Sequence, residues 1–200
     1  MKCINVGQLE QQLQVGDIIF IHVDVLPFRK IARDTGSWTN HVGIVVELSD
    51  KGPLVAESTF PFSKITSLST FIARSKEGRV EAMRLNTKLT PKQRDNIKAA
   101  SLKRLGKFYD TGFDLHSSRQ FCSRFVYEVA NEALGIKLGE IENLHTLFAN
   151  NPKADLLFWK IWYFGRIPWE RETVTPTSIQ YSPHLQTTFD GYADNNVATR

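Results

Sequence analysis

Apolar residues fall into two rhythms along this chain. Asp17 to Val23 (DIIFIHV) and Val42 to Leu48 (VGIVVEL) are short runs rich in β-branched residues, which predicts buried strands, and Pro53 to Glu57 (PLVAE) and Val80 to Leu85 are further strand candidates. Together they predict a small, mainly antiparallel sheet. Between the first two runs, Leu26 to Asn40 carries Pro27, Gly36, Ser37, Thr39 and Asn40, a set of turn formers that predicts a loop delivering the chain into His41.

The second rhythm is helical. Thr90, Pro91 and Gln93 form an N-cap, a first-turn proline and a capping-box partner, with Gly106 as the stop, so about four turns of helix are expected between them. Phe121, Phe125, Val129 and Ala133 recur every four residues, joined by Cys122, Val126 and Ala130, and Gly135 closes the pattern. Two more helices are expected at roughly Ile141 to Asn150 and Leu156 to Phe164. A polar tail follows from Thr173. The reading is one domain over 1–190, with 191–200 a loose C-terminal tail.

The bulk numbers fit that picture and narrow the function. The 200 residues are 42% hydrophobic and 23% charged, enough for one core. A net charge of +4, spread along the chain, gives no electrostatic footprint for nucleic acid. The N-terminus has no apolar core of signal-peptide length, so the expected location is cytoplasmic. In a reducing compartment the two cysteines, Cys3 and Cys122, are expected to be thiols. No C-x-x-C or H-x-x-x-H spacing is present, so no metal or other cofactor is expected.

Cys122 is the residue with chemistry to explain. It sits where a serine-rich lead-in turns into an amphipathic helix, and the free N–H groups and positive dipole end of a helix start favour a thiolate. The same amides can receive an oxyanion. The alternative is an inert cysteine filling the core face of that helix. Among the five histidines, His41 stands best, at the end of a turn-rich loop and the start of a strand, and His116 ranks second. His22 reads as a satisfied sheet residue. Glu57, ending the next strand in LVAEST, is placed to hold the far nitrogen of His41, the third role that a nucleophile and base require.

The succession DIIF, NHVGIVVE, VAEST, GKFYD and FCSRFVYEVANEALG resembles the YiiX/YebB-like cysteine hydrolases, over roughly Gly16 to Gly135. The resemblance implies an α+β, circularly permuted papain-like (NlpC-like) fold, with an antiparallel sheet packed against helices. It implies Cys122 as nucleophile, His41 as base and Glu57 as the third member, with Tyr109 and Asp110 shaping the substrate site. His41 precedes Cys122 where papain-like enzymes have the opposite order, which permutation explains because geometry and not chain order defines such a site. One position departs from the pattern: Arg124 stands where relatives commonly carry an acid.

The expected activity is therefore hydrolysis of an amide in a small peptide, a peptidoglycan-derived fragment or a related acyl compound, through a thioester. The segment LLFWKIWYFGRIPW, with basic residues among its tryptophans, also suits peripheral membrane contact and a lipid-directed acyltransferase or amidase; an ordinary buried helix is its other reading. A non-catalytic binding module on the same fold is the remaining alternative. The oligomeric state is left open.

Overall fold

The computed structural model describes residues 2–194. In chain order the elements are β1 (Lys2–Asn5), α1 (Val6–Glu10), β2 (Ile18–Val23), α2 (Phe28–Asp34), β3 (His41–Ser49), β4 (Gly52–Glu57), β5 (Lys64–Ser67), α3 (Leu68–Ile72) and β6 (Ser75–Leu85). There follow α4 (Pro91–Leu102), α5 (Cys122–Leu134), β7 (Ile141–Asn143), α6 (Leu144–Ala149), α7 (Leu156–Trp162), β8 (Glu172–Val174), α8 (Pro176–Gln180) and β9 (Leu185–Asp194).

Seven strands form one sheet in the order β1-β9-β6-β2-β3-β4-β5, antiparallel throughout except for the β1 and β9 pair. The central strands are apolar without alternation because both faces are covered. Ile18 and Phe20 of β2 join Val42, Ile44 and Val46 of β3 under Ile97 of α4 and Phe125, Val126 and Val129 of α5. Ile19 and Ile21 point the other way, into a layer with Leu9 of α1 and Leu68, Phe71 and Ile72 of α3. A third cluster, Ile31, Leu144, Phe148, Trp159 and Ile167, joins α2, α6 and α7 beside the main body.

Local signals explain where the two long helices begin and end. Thr90 accepts from the backbone N–H of Gln93, whose side chain returns the bond, and Pro91 occupies the first turn of α4. Gly135 closes α5 in the left-handed conformation at φ 70°, a backbone that glycine adopts without strain.

Three expectations need correction. The loop before His41 contains the two-turn helix α2, whose turn-forming flanks hid a short apolar face. Ile141–Asn143 is a strand paired with β8, and only Leu144–Ala149 is helical. The polar tail from Thr173 is built into the fold: β9 lies between β1 and β6, its alternating polar and apolar residues suiting a strand with one face in water. The tail expected to be loose from 191 is paired through Asp194, and its remainder lies outside the described residues. Cys3 sits opposite Tyr192 in that pairing and is an exposed free thiol.

Candidate active site

The chain is pinned into place around His41 before any chemistry arises. Thr39 donates its hydroxyl to the carbonyl of Ile21, and the Asn40 amide bonds both the N–H and the carbonyl of Val23. These two turn-forming residues bind the loop to β2, so the first residue of β3 enters with a fixed direction. Its ring lies between Phe71, at 5.5 Å between ring centres, and Phe28, at 6.3 Å. Gly43, two residues on, is held open by need: a Cβ there would come within 2.6 Å of Val55 and 3.0 Å of Phe71.

Glu57 ends β4 and is fully buried. Its carboxylate lies 2.6 Å from Nε2 of His41. Burial alone would raise its pKa, but the His41 hydrogen bond and charge, followed by those of Arg74, bring the net shift below the ordinary carboxylate value. Arg74 donates to both carboxylate oxygens at 2.7 and 2.8 Å, and its guanidinium lies over the Phe71 ring. Sequence reasoning missed Arg74. It follows α3 in FIARSKEG, where nothing distinguishes it from a solvated surface cation.

Cys122 opens α5, whose N-cap, Phe121, offers no side-chain oxygen to the first-turn amides. Those donors are left to other acceptors. Two bonds bring the thiol to the sheet end: Ser58, next to Glu57, donates to the carbonyl of Gln120, and Tyr109 and Gln120 form a bridge. The thiol and the imidazole act on each other directly. Burial disfavours the thiolate, yet the His41 hydrogen bond and charge, the Val42 N–H and the Tyr109 hydroxyl outweigh it, and the Cys122 pKa is lowered. Burial likewise opposes charge on His41, but Cys122 and then Glu57 carry its pKa up to about 9. Nδ1 of His41 makes no conventional hydrogen bond, so apart from Glu57 the thiol is the ionisable partner of this ring.

The other expected residues are placed as follows. The Tyr109 hydroxyl is buried 4.0 Å from Sγ of Cys122. Its own ionisation is pushed well up, first by burial and then by the charge on Cys122, so it stays a neutral donor. Asp110 does not turn toward the sulfur; its oxygens accept from the backbone of Gly112 and Asp114 and shape the loop that carries Phe113. Arg124 pairs with Glu128 and donates to the carbonyls of Asp114, Ser117 and Arg119, which ties the approach loop to α5. His116 instead pairs with Glu172 in an exposed position. His22 is satisfied within the sheet, its Nδ1 2.6 Å from the Trp38 carbonyl.

A small cavity of about 40 Å³ opens beside Cys122. Its walls are largely apolar, with Ile31, Phe113, Leu144, Phe148, Trp159 and Pro176 among them. Asp34 is the one carboxylate in the wall; its Oδ2 accepts from the Trp159 indole at 2.7 Å. Among the described residues, no group of three or more His, Cys, Asp or Glu is arranged to hold a metal ion.

A thiol at a helix start, an imidazole at a strand start and a carboxylate behind it is the papain arrangement with the strand preceding the helix. Known proteins share this fold. The E. coli K12 protein described as uncharacterized protein YiiX is 30% identical over 184 residues, which is 92% of this chain and 90% of that one. A crystal structure described as metalloprotein yiiX, from E. coli O157:H7, superposes with a TM-score of 0.83 at 31% identity, over 90% of this chain and 99% of that one. Among the described residues, no donor set matches the metal that this description implies. A profile described as permuted papain-like amidase enzyme, YaeF/YiiX, C92 family, matches residues 12–189, and with the order of strand and helix it places the chain in that family of permuted papain-like amidases.

Proposed function

We propose that this chain is a cysteine amidase acting on substrates whose acyl group is apolar. The observation that supports it is the coupling of Cys122 to an imidazole held charged by the thiol and by Glu57, which Arg74 keeps ionised, directly beside an apolar cavity. In this reading the Cys122 thiolate attacks the amide carbonyl, and the new oxyanion is received by first-turn amides of α5 and the Tyr109 hydroxyl. The His41 imidazolium gives its proton to the leaving nitrogen as the C–N bond breaks. Water then enters, His41 takes one of its protons, and hydroxyl addition to the thioester releases the carboxylic acid and the thiolate.

The small, mainly apolar cavity favours a short aliphatic acyl group over a bulky sugar or charged peptide, which it has no room to admit. A test is to incubate the protein with N-acyl amides graded from acetyl to long-chain and follow the freed amine. The intact mass of the protein, quenched in acid, reports the thioester. Rates should be highest for short apolar acyl groups and fall for long chains, and Cys122→Ala should abolish both the amine and the mass adduct. Equal rates across the series would remove the substrate assignment, and turnover by Cys122→Ala would remove the mechanism.

A further inference from the structure

The outer face of α7 is unlike the outer face of an ordinary surface helix. Leu157 and Ile161, one turn apart on α7, are each 70% exposed, Phe164 just beyond the helix end is 100% exposed, and Leu156 is 45% exposed. A surface helix places polar side chains there. Isolated exposed apolar residues are normal, but a contiguous row marks a contact surface.

The tip of the helix strengthens the point. Phe164 has a left-handed backbone at φ 54°, where glycine or asparagine is the usual occupant, and Gly165 follows at φ 95°. A phenylalanine held in that conformation with its ring wholly in water contributes nothing to the folded domain. Trp162, partly exposed, lies beside Ile161 and Phe164, an amphipathic ring chemistry suited to the boundary between water and lipid.

Charge identifies the partner. Among the described residues, Lys153, Lys160 and Arg166 make no ion pair, whereas Asp155 pairs with Lys30 and Asp114 with Arg171. Glu170 is the one acid between 153 and 171 without an ion pair among the described residues. An apolar row framed by uncompensated cations matches anionic headgroups over an acyl layer.

We propose that the outer face of α7, with its Phe164–Gly165 tip, is a docking surface for a bilayer containing anionic phospholipid. No helix of the described residues is long and apolar enough to cross a membrane, so the contact is peripheral. The inner face of the same helix, through Trp159 and Tyr163, lines the cavity beside Cys122. Docking would therefore bring that cavity next to the lipid, a purpose that rests on the amidase reading although the binding does not.

The test is cosedimentation of the full chain with phosphatidylcholine vesicles, either pure or containing about one-third phosphatidylglycerol, at rising salt. Wild-type protein should partition onto the anionic vesicles and release as salt increases. The double variant Ile161→Glu with Phe164→Glu should lose at least tenfold in partitioning, and Lys160→Glu with Arg166→Glu should lose the preference for the anionic vesicles. Both doubles should keep the wild-type circular dichroism and the hydrolysis of a water-soluble amide. Wild-type protein that stays in the supernatant of both vesicle types overturns the proposal. So does a wild-type dimer in light scattering that the Ile161→Glu, Phe164→Glu protein dissolves into monomers, since the row would then be a contact between two copies. Cys122→Ser protein should bind vesicles as wild type does; wild-type protein that binds vesicles but hydrolyses no amide overturns the amidase reading and leaves the docking surface standing.

Discussion

Glu57 carries a charge that two cations share. His41 needs it to remain protonated, and Arg74 keeps it ionised despite complete burial. Glu57→Gln should lower kcat by about 10²-fold or more, by analogy with the loss of an orienting carboxylate in hydrolytic triads. The alkaline limb of activity, set by His41 near pH 9, should move to lower pH in that variant, because a cause of the raised imidazole pKa is gone. Arg74 does not touch the thiol, so it is a positioning residue. Arg74→Met should cost roughly tenfold in kcat/KM, about 1.4 kcal/mol in barrier, and should move the acid limb of the pH profile upward, with Arg74→Lys restoring part of the profile. A loss of activity with an unmoved acid limb would show that Arg74 serves the fold alone. The sequence disclosed Cys122, His41 and Glu57 because each stands at the end of a patterned element. Arg74 follows the five-residue helix α3, and its role appears only once the chain folds back on Glu57.

At the scale of elements, the site depends on β3, β4 and α5 meeting at one end of the sheet. Gly43 is the tightest point of that meeting, facing Val55, Phe71 and the Ala56 carbonyl at 3.1 Å or less. Gly43→Ala should therefore destabilise the fold by about 1–3 kcal/mol through overpacking, read as a lower midpoint in urea, and should reduce activity further than the fraction unfolded accounts for. Thr90→Ala, which removes the α4 cap far from the thiol, should cost about 1 kcal/mol and leave activity of the folded protein unchanged. The long, apolar or well-capped elements were readable because local signals and tertiary burial agree, as in β2, β3, α4 and α5. The misread ones are those whose partners are distant in sequence. β9 alternates weakly and owes its strand form to β1 and β6, and β7 takes its extended form from β8.

Over the whole molecule, permutation leaves the sheet, the helix layers and the site assembled although His41 comes first in the chain. The fold class was legible because a resemblance in motif order supplied the topology, which hydrophobic periodicity by itself does not. Ionisation links the site to overall stability. Glu57 has a depressed folded pKa, so its contribution is present above 4.5 and is lost as pH falls through the folded value; the acid unfolding of Glu57→Gln should accordingly depend less on pH below 4.5 than that of wild type. His41 is raised, so its contribution is full below 6.5 and is lost as pH rises through about 9. Cys122 is lowered, with a contribution present above 9.0 and lost as pH falls through its folded value, so the two offset each other between 6.5 and 9. Stability should therefore change little in that window, and the alkaline loss of activity should come near pH 9.

The most direct test is the rate of iodoacetamide alkylation at Cys122 and Cys3, resolved by peptide mapping from pH 5 to 10 in wild-type and His41→Ala protein. Cys122 in the wild type should react with a midpoint well below the ~8.5 of a free thiol. In His41→Ala its midpoint should rise, while the exposed Cys3 should titrate identically in both proteins. A Cys122 that reacts only after denaturation, or whose midpoint ignores the loss of His41, would contradict the thiolate and imidazolium pair on which the amidase reading stands.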